Sequence, residues 1–308
     1  NGVAASPANA SLSLKAGTTV PAGLTFDPAT GSVDVAAGTP AGSYVIHYTL
    51  CETLNPANCQ DATITVEVIA APVVASSDSK TGINGATGDP AALNLFTGDT
   101  INGAAATPAN ATLSLAPGAS VPAQLSFDPA TGVVAVNPGT PAGSYSFDYQ
   151  LCETLNPTNC KIATASVTVD PSAIVASNDS AAAINGASGA SAVANAFTSD
   201  LVNGVAASPA NASLSLKAGT SVPAGLTFDP ATGSVDVAAG TPAGSYVIHY
   251  TLCEALNPAN CTDATITVEV VAAPVVATDD DAGAVAGILG GMDLINILIN
   301  DRLNGQPV

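Results

Sequence analysis

The sequence predicts an all-β chain of tandem β-sandwich domains, strung like beads with a period of 101 residues. Three observations predict it. The pair Asn-Gly recurs at Asn1, Asn102, Asn203 and Asn304, and residues 1–75 differ from residues 203–277 at four positions only. The 308 residues hold just 9% charged and 4% aromatic side chains, with 28 glycines and 22 prolines. That is the vocabulary of short strands and tight turns. Within each period, short runs of alternating polarity are separated by Gly and Pro signals. A period near 100 residues exceeds the roughly 20–50 of solenoid repeats and suits one independent sandwich per repeat.

The first strand signal is Leu12 and Leu14 alternating with Ser11 and Ser13. Leu24 and Phe26 then lead into Asp27-Pro28-Ala29-Thr30-Gly31, where proline presets a turn and glycine takes the left-handed position, so a hairpin to Ser32–Val35 is expected. Gly38-Thr39-Pro40-Ala41-Gly42 is a second turn. After it Tyr44, Ile46, Tyr48 and Leu50 alternate with Val45, His47, Thr49 and Cys51. The second copy keeps the first set apolar as Tyr145, Phe147, Tyr149 and Leu151 but places Ser146, Asp148 and Gln150 in the other, so the first set faces the core. Asp61–Val68 alternates again and closes the repeat.

The four differences between the outer copies are Thr19 and Ser221, Thr53 and Ala255, Gln60 and Thr262, and Ile69 and Val271; the middle copy has drifted further. Near-identity of non-adjacent copies is what recombination in a long repetitive gene leaves. Further copies beyond this chain are therefore expected.

Twenty-four acidic residues against five basic ones give a formal charge of −19, which repels a phosphate backbone and argues against a nucleic-acid partner. No run reaches the 18 or so apolar residues of a membrane span; the longest, Ala282–Met292, contains four glycines. The chain opens at Asn1 with no leader, as a processed product or a window of a longer polypeptide would.

The segment Val20-Pro21-Ala22-Gly23-Leu24-Thr25-Phe26-Asp27-Pro28-Ala29-Thr30-Gly31, followed by Gly38-Thr39-Pro40-Ala41-Gly42-Ser43-Tyr44, resembles the immunoglobulin-like, cadherin-like tandem repeats of bacterial surface proteins. Asn296-Ile297-Leu298-Ile299-Asn300-Asp301-Arg302-Leu303-Asn304-Gly305 is similar to the start of repeats in large bacterial adhesins. The resemblance implies immunoglobulin-like sandwiches at a bacterial cell surface and no particular ligand.

Cys51 with Cys59, Cys152 with Cys160 and Cys253 with Cys261 form three equivalent pairs, each bracketing an Asn-Pro turn. They read as three local disulfides in an oxidising, extracellular compartment. Zinc prefers shorter spacings and a second ligand pair. His47 and His249 are the only histidines, and the second copy has Asp148 at that position, so a catalytic base is not expected there.

Asp27, Asp128 and Asp229 open Asp-Pro turns and should cap them. Asp78, Asp99, Asp179, Asp200, Asp280 and Asp301 flank the apparent domain junctions and are candidate calcium ligands, although no Asp-x-Asp-x-Asp loop accompanies them. Intramolecular isopeptide bonds from Lys15 and Lys217 are not general, because Ala116 stands at that position in the second copy. Asn9, Asn110 and Asn211 begin sequons in form only.

Linkers such as Ala71-Pro72-Val73-Val74-Ala75 divide the chain into 1–75, a repeat without its leading segment; 76–176 and 177–277, complete repeats; and 278–308, a leading segment of a further repeat. An unfilled edge in the first repeat is a liability that a neighbouring subunit can relieve. Val285, Ile288, Leu289, Leu294, Ile297 and Leu298 make the spare segment apolar enough for that role, by donor-strand complementation in a head-to-tail homopolymer. The leading functional expectation is thus a structural building block of an extracellular bacterial filament, without enzymatic activity. Stalk repeats of one long adhesin are the first alternative. A carbohydrate- or cell-binding module is the second, weakened by the absence of Trp and by inward-facing tyrosines.

Overall fold

The structure is a computed structural model describing residues 2–308, and it contains strands and turns with no helix among them. The chain divides into two compact units. One comprises residues up to Ile83, Thr87–Pro138 and Gly143–Thr168; the other comprises Asn84–Ala86, Gly139–Ala142 and Val169–Val308.

In the first unit, Ala10–Leu14, Gly42–Glu52 and Cys59–Val68 form an antiparallel sheet in that order, with Leu12 opposite Leu50 and Ile46 opposite Ile64. Leu24–Asp27 and Ser32–Val35 form the facing hairpin. Asp27 shapes its turn: Ala29 donates its N–H to the carboxylate at 2.9 Å and the Thr30 hydroxyl donates at 2.7 Å. Gly31 closes the turn at φ 78°, a left-handed conformation that glycine adopts at little cost. The rings of Phe26 and Tyr48, 6.4 Å apart, join the two sheets. Ile46 is fully buried between them while Val45 and His47 face solvent, because strand side chains alternate.

The same elements recur one period later, each with an extra strand. Ala111–Leu115, Gly143–Glu153 and Cys160–Asp170 are joined by Asp78–Asn84, while Leu125–Asp128 and Val133–Val136 are joined by Asp89–Asn94. A short ribbon of Val73–Val74, Thr100–Ile101 and Ala104–Ala105 carries the linker.

In the second unit, Cys261–Val271, Gly244–Glu254 and Ala212–Leu216 make one sheet. Asp179–Ser180 and Ile184–Asn185 pair parallel to Cys261–Val271 at its edge. Ala190–Asn195, Ser234–Val237 and Leu226–Phe228 make the other. Leu226, Val235 and Val237 from this sheet pack on Ile248, Tyr250, Leu252, Ile266 and Val268 of the first, which is the core of a sandwich. Ile174–Val175, Leu201–Val202 and Val205–Ala206 form a ribbon, and so do Val275–Val276, Arg302–Leu303 and Gln306–Pro307. Residues 277–301 contain no strand.

Candidate assembly site

Two strands distinguish the sandwiches. Asp78–Asn84 and Asp89–Asn94 extend one sheet each around residues 111–170, and their counterparts do so around residues 212–271. Among the described residues nothing pairs with the outer edges of Cys59–Val68 or Ser32–Val35. Both edges therefore present unpaired backbone N–H and C=O groups.

The sequence identity of the outer repeats makes the effect on burial a controlled comparison. Tyr250, Leu252, Ile266, Val268 and Val270 are buried, whereas Tyr48, Leu50, Ile64, Val66 and Val68 are only half-buried. A groove of about 570 Å³ opens in the first repeat beside Leu12, Pro28, Ala29, Thr30 and Leu50. In the second repeat the corresponding turn is covered: the Leu95 N–H donates to the Gly132 carbonyl at 2.8 Å and Asn94 Nδ2 to the Thr131 carbonyl at 3.3 Å. In the third, Ala196 and Asn195 make the same bonds to Gly233 and Thr232 at 2.9 Å each.

The spare segment carries the matching residues. Val285, Leu294, Ile297 and Leu298 stand at the repeat positions of Ile83, Ala92, Leu95 and Phe96, all of which are buried. In the spare segment Val285, Leu294, Ile297 and Leu298 are exposed. Ile288 and Leu289 are also exposed, at 95% and 84%, but they stand at the positions of the solvent-facing turn residues Ala86 and Thr87. The repeat alignment sets these two donor-segment residues at turn positions and the other four at strand-side positions.

The aspartates at the junctions come together in pairs around a tyrosine. The Tyr149 hydroxyl lies 2.9 Å from Asp78 Oδ2, 2.9 Å from the Ser76 carbonyl and 3.5 Å from Asp99 Oδ2, and Ser76 N–H donates to Asp99 Oδ1 at 2.7 Å. Tyr250 stands likewise among Asp179, Asp200 and Ser177. Burial, with the charge of Asp200, pushes the Asp179 carboxyl up to about 6 against the Tyr250 hydrogen bond. Asp78, Asp99 and Asp200 are also raised, chiefly by burial, and both tyrosine hydroxyls are pushed upward for the same reason.

This donor set does not fit a calcium cage. Calcium takes six to eight oxygens. Each cluster offers only two carboxylates, of which Asp99 and Asp200 already accept a serine N–H, and no group of three or more His, Cys, Asp or Glu gathers among the described residues. Asp301 accepts the Thr278 N–H at 2.9 Å, and Asp280 is exposed, so the third pair does not close on a tyrosine.

Each cysteine pair is a disulfide, with Cα atoms 4.1 Å apart across adjoining strands. The loops they close hold Glu-x-x-Asn-x-x-Asn, which composition and cysteine spacing did not reveal as functional. Around Glu153 this motif clasps the preceding linker. Asn156 and Asn159 each donate to the Glu153 carboxylate at 2.8 Å, Ala71 N–H donates to it at 3.1 Å, and Asn159 Nδ2 donates to the Ala71 carbonyl at 2.7 Å. Ala41 N–H reaches Asn156 Oδ1 at 2.7 Å.

Glu254 repeats the arrangement on Ser172, which donates both its N–H and its hydroxyl, while Asn260 Nδ2 donates to the Ser172 carbonyl and Ala142 N–H reaches Asn257 Oδ1 at 2.6 Å. Glu153 and Glu254 are 4% and 2% exposed. Buried carboxylates are stable only when so fully hydrogen-bonded.

The remaining sequence candidates are structural. Lys15 and Lys217 form surface ion pairs with Asp61 and Asp263 at 3.2 and 3.0 Å, worth little at such exposure. The sequon asparagines stitch their own loops; Asn110, for example, accepts the Thr107 N–H and donates to the Ala105 carbonyl. His47 and His249 face solvent on the outer side of the sheet.

Fold and site together define an all-β protein of tandem, disulfide-bearing β-sandwich repeats. Among solved structures the chain is similar to protocadherin gamma B2 extracellular cadherin domains 3–6, at 10% identity over 85% of this chain and 68% of that one, TM-score 0.35. It is similar also to the protocadherin gammaB4 extracellular domain, at 12% identity over 85% of this chain and 43% of that one, TM-score 0.32. Mouse cadherin-23 EC22-24 matches at 13% identity over 86% of both chains, TM-score 0.33. No family profile and no curated protein matches the sequence.

Proposed function

We propose that the chain is a non-catalytic building block of an extracellular filament at a bacterial surface, assembled head to tail by donor-strand complementation. In this reading, residues 278–301 of one copy add a strand to each open sheet edge around residues 10–68 of the next. The observation that supports it most is the contrast between repeats of almost the same sequence: the side chains buried around Tyr250 are uncovered around Tyr48, and the segment type that covers them is found unpaired at residues 278–301. Asn296 and Ile297 then bond the Thr30 and Gly31 carbonyls, as Asn94 and Leu95 bond those of Thr131 and Gly132.

The same pairing made within a longer polypeptide would give an adhesin stalk, a reading favoured by the near-identity of the outer repeats. Electron microscopy and light scattering of the purified chain and of a truncation ending at Ala277 separate these cases. Thin polymers from the full chain and monomers from the truncation are expected. Polymers from both would remove donor pairing, and monomers from both would favour the stalk.

A further inference from the structure

We infer that Glu52, Asn55 and Asn58 form a preformed clasp for a second copy of this chain, filled by the backbone of its Ala243 and Ala273. The inference rests on the head-to-tail reading and names the contacts that fix the joint between copies.

The two clasps within the chain follow one rule. The turn alanine donates to an asparagine 115 residues ahead, as Ala41 does to Asn156 and Ala142 to Asn257. The linker residue donates to a glutamate 82 residues ahead and accepts from an asparagine 88 residues ahead, as Ala71 and Ser172 both do. Ala243 and Ala273 occupy the same turn and linker positions in the third repeat. The repeat positions the rule assigns to their partners are filled, in the first repeat, by Asn55, Glu52 and Asn58. Neither alanine N–H has a partner among the described residues.

Both halves are exposed and ready. Asn55 and Asn58 already donate to the Glu52 carboxylate at 2.9 Å each, which is the internal geometry of the filled clasps, and these bonds hold the carboxyl below its usual range. The Cys51–Cys59 disulfide fixes the loop. A preformed, charged acceptor loses little entropy on binding and makes the stronger kind of hydrogen bond to an N–H.

The surroundings tell the same story. Leu54, beside the empty clasp, is 85% exposed against 39% for Leu155 beside a filled one. Val275, just past the linker alanine, is 73% exposed against 7% for Val73. The empty socket and the bare plug match each other.

Hydrogen exchange measured by mass spectrometry on fibres and on the 1–277 monomer tests the clasp. Peptides covering 240–246 and 270–276 are expected to exchange at least tenfold more slowly in the fibre. In Glu52→Ala fibres the 270–276 protection is lost and dissociation on dilution quickens about tenfold or more, the scale of a charge-assisted hydrogen bond. Glu269→Ala, on the outer face of its strand, serves as the control and should change neither.

Fibres whose 240–246 and 270–276 amides exchange as in the monomer would overturn the clasp while leaving donor pairing intact. Glu52→Ala fibres with wild-type protection and dissociation would do the same. A full chain that forms no fibre refutes donor pairing itself, and with it the occupant. The wild-type comparison stands even if the variant folds poorly.

Discussion

Val35 and Val237 occupy the same position in repeats of nearly one sequence, yet Val35 is 45% exposed and Val237 4%. Val237 lies between Leu226 and Ala190 on neighbouring strands; Val35 has Leu24 on one side and no strand on the other. The difference between them is the burial that the proposed donor pairing would supply.

Val237→Ala is accordingly expected to destabilise its sandwich by about 1.5–3 kcal/mol, the worth of one buried valine. Val35→Ala should cost a small fraction of that in the 1–277 monomer and approach the full amount in the fibre. Denaturant melts of monomer and fibre check this, and equal costs in both states would contradict it.

Gly287→Val should leave the free chain folded but stop it polymerising. In the free chain a Cβ at Gly287 meets nothing within 4 Å. At Gly85 and Gly186, the equivalent positions, a Cβ would overlap the carbonyl oxygen of Thr140 or Thr241 and come within 2.8 Å of Val169 or Val270 Cγ1. Under the proposed donor pairing, residue 287 would face Thr39 and Val68 in the same way. Unchanged circular dichroism together with loss of sedimenting polymer is the expected result.

The Asp179 carboxyl sets a pH dependence of definite sign. Its folded pKa is raised, so the folded state holds its proton more tightly than the unfolded chain, and stability rises as pH falls from about 6 to about 4. Asp179→Asn should raise the melting temperature at pH 7 and change it little at pH 4. The turn aspartates act oppositely: threonine hydroxyl and backbone N–H groups hold Asp27, Asp128 and Asp229 low, so their contribution is lost only as pH falls below the ordinary carboxylate range. Thermal melts of the two proteins across pH 4–7 make the comparison, and a pH-independent difference would contradict it.

Replacing Cys51 and Cys59 by serine should lower the stability of the first repeat by roughly 2–3 kcal/mol, through a less constrained unfolded state. The same double variant loosens the Glu52 loop, so polymers should also dissociate faster than wild type. Equal denaturant midpoints with and without the disulfide would argue that the strand pairing of Gly42–Glu52 with Cys59–Val68 alone holds this hairpin.

The strands, the Asp-Pro turns and the alternation of the tyrosine strand were legible in the sequence because each depends on neighbours within a few residues. The paired roles of Asp78 and Asp99 were not. Their period is visible in the sequence, but Tyr149, which satisfies them, lies 71 and 50 residues away. The clasp was hidden for the same reason: Glu153 is buried by a linker 82 residues earlier. Its signal was nonetheless present, since Glu-x-x-Asn-x-x-Asn sits inside every cysteine loop.

The parallel pairing of Asp179–Ser180 and Ile184–Asn185 with Cys261–Val271 places the entering and leaving strands of a repeat side by side. A pull on the two linkers drags these strands past each other along their length. All the hydrogen bonds between them then share the load, instead of opening one after another like a zip. A donor segment seated the same way against Cys59–Val68 would bear tension in shear, so a joint without any covalent bond between copies could transmit force as the covalent repeats do.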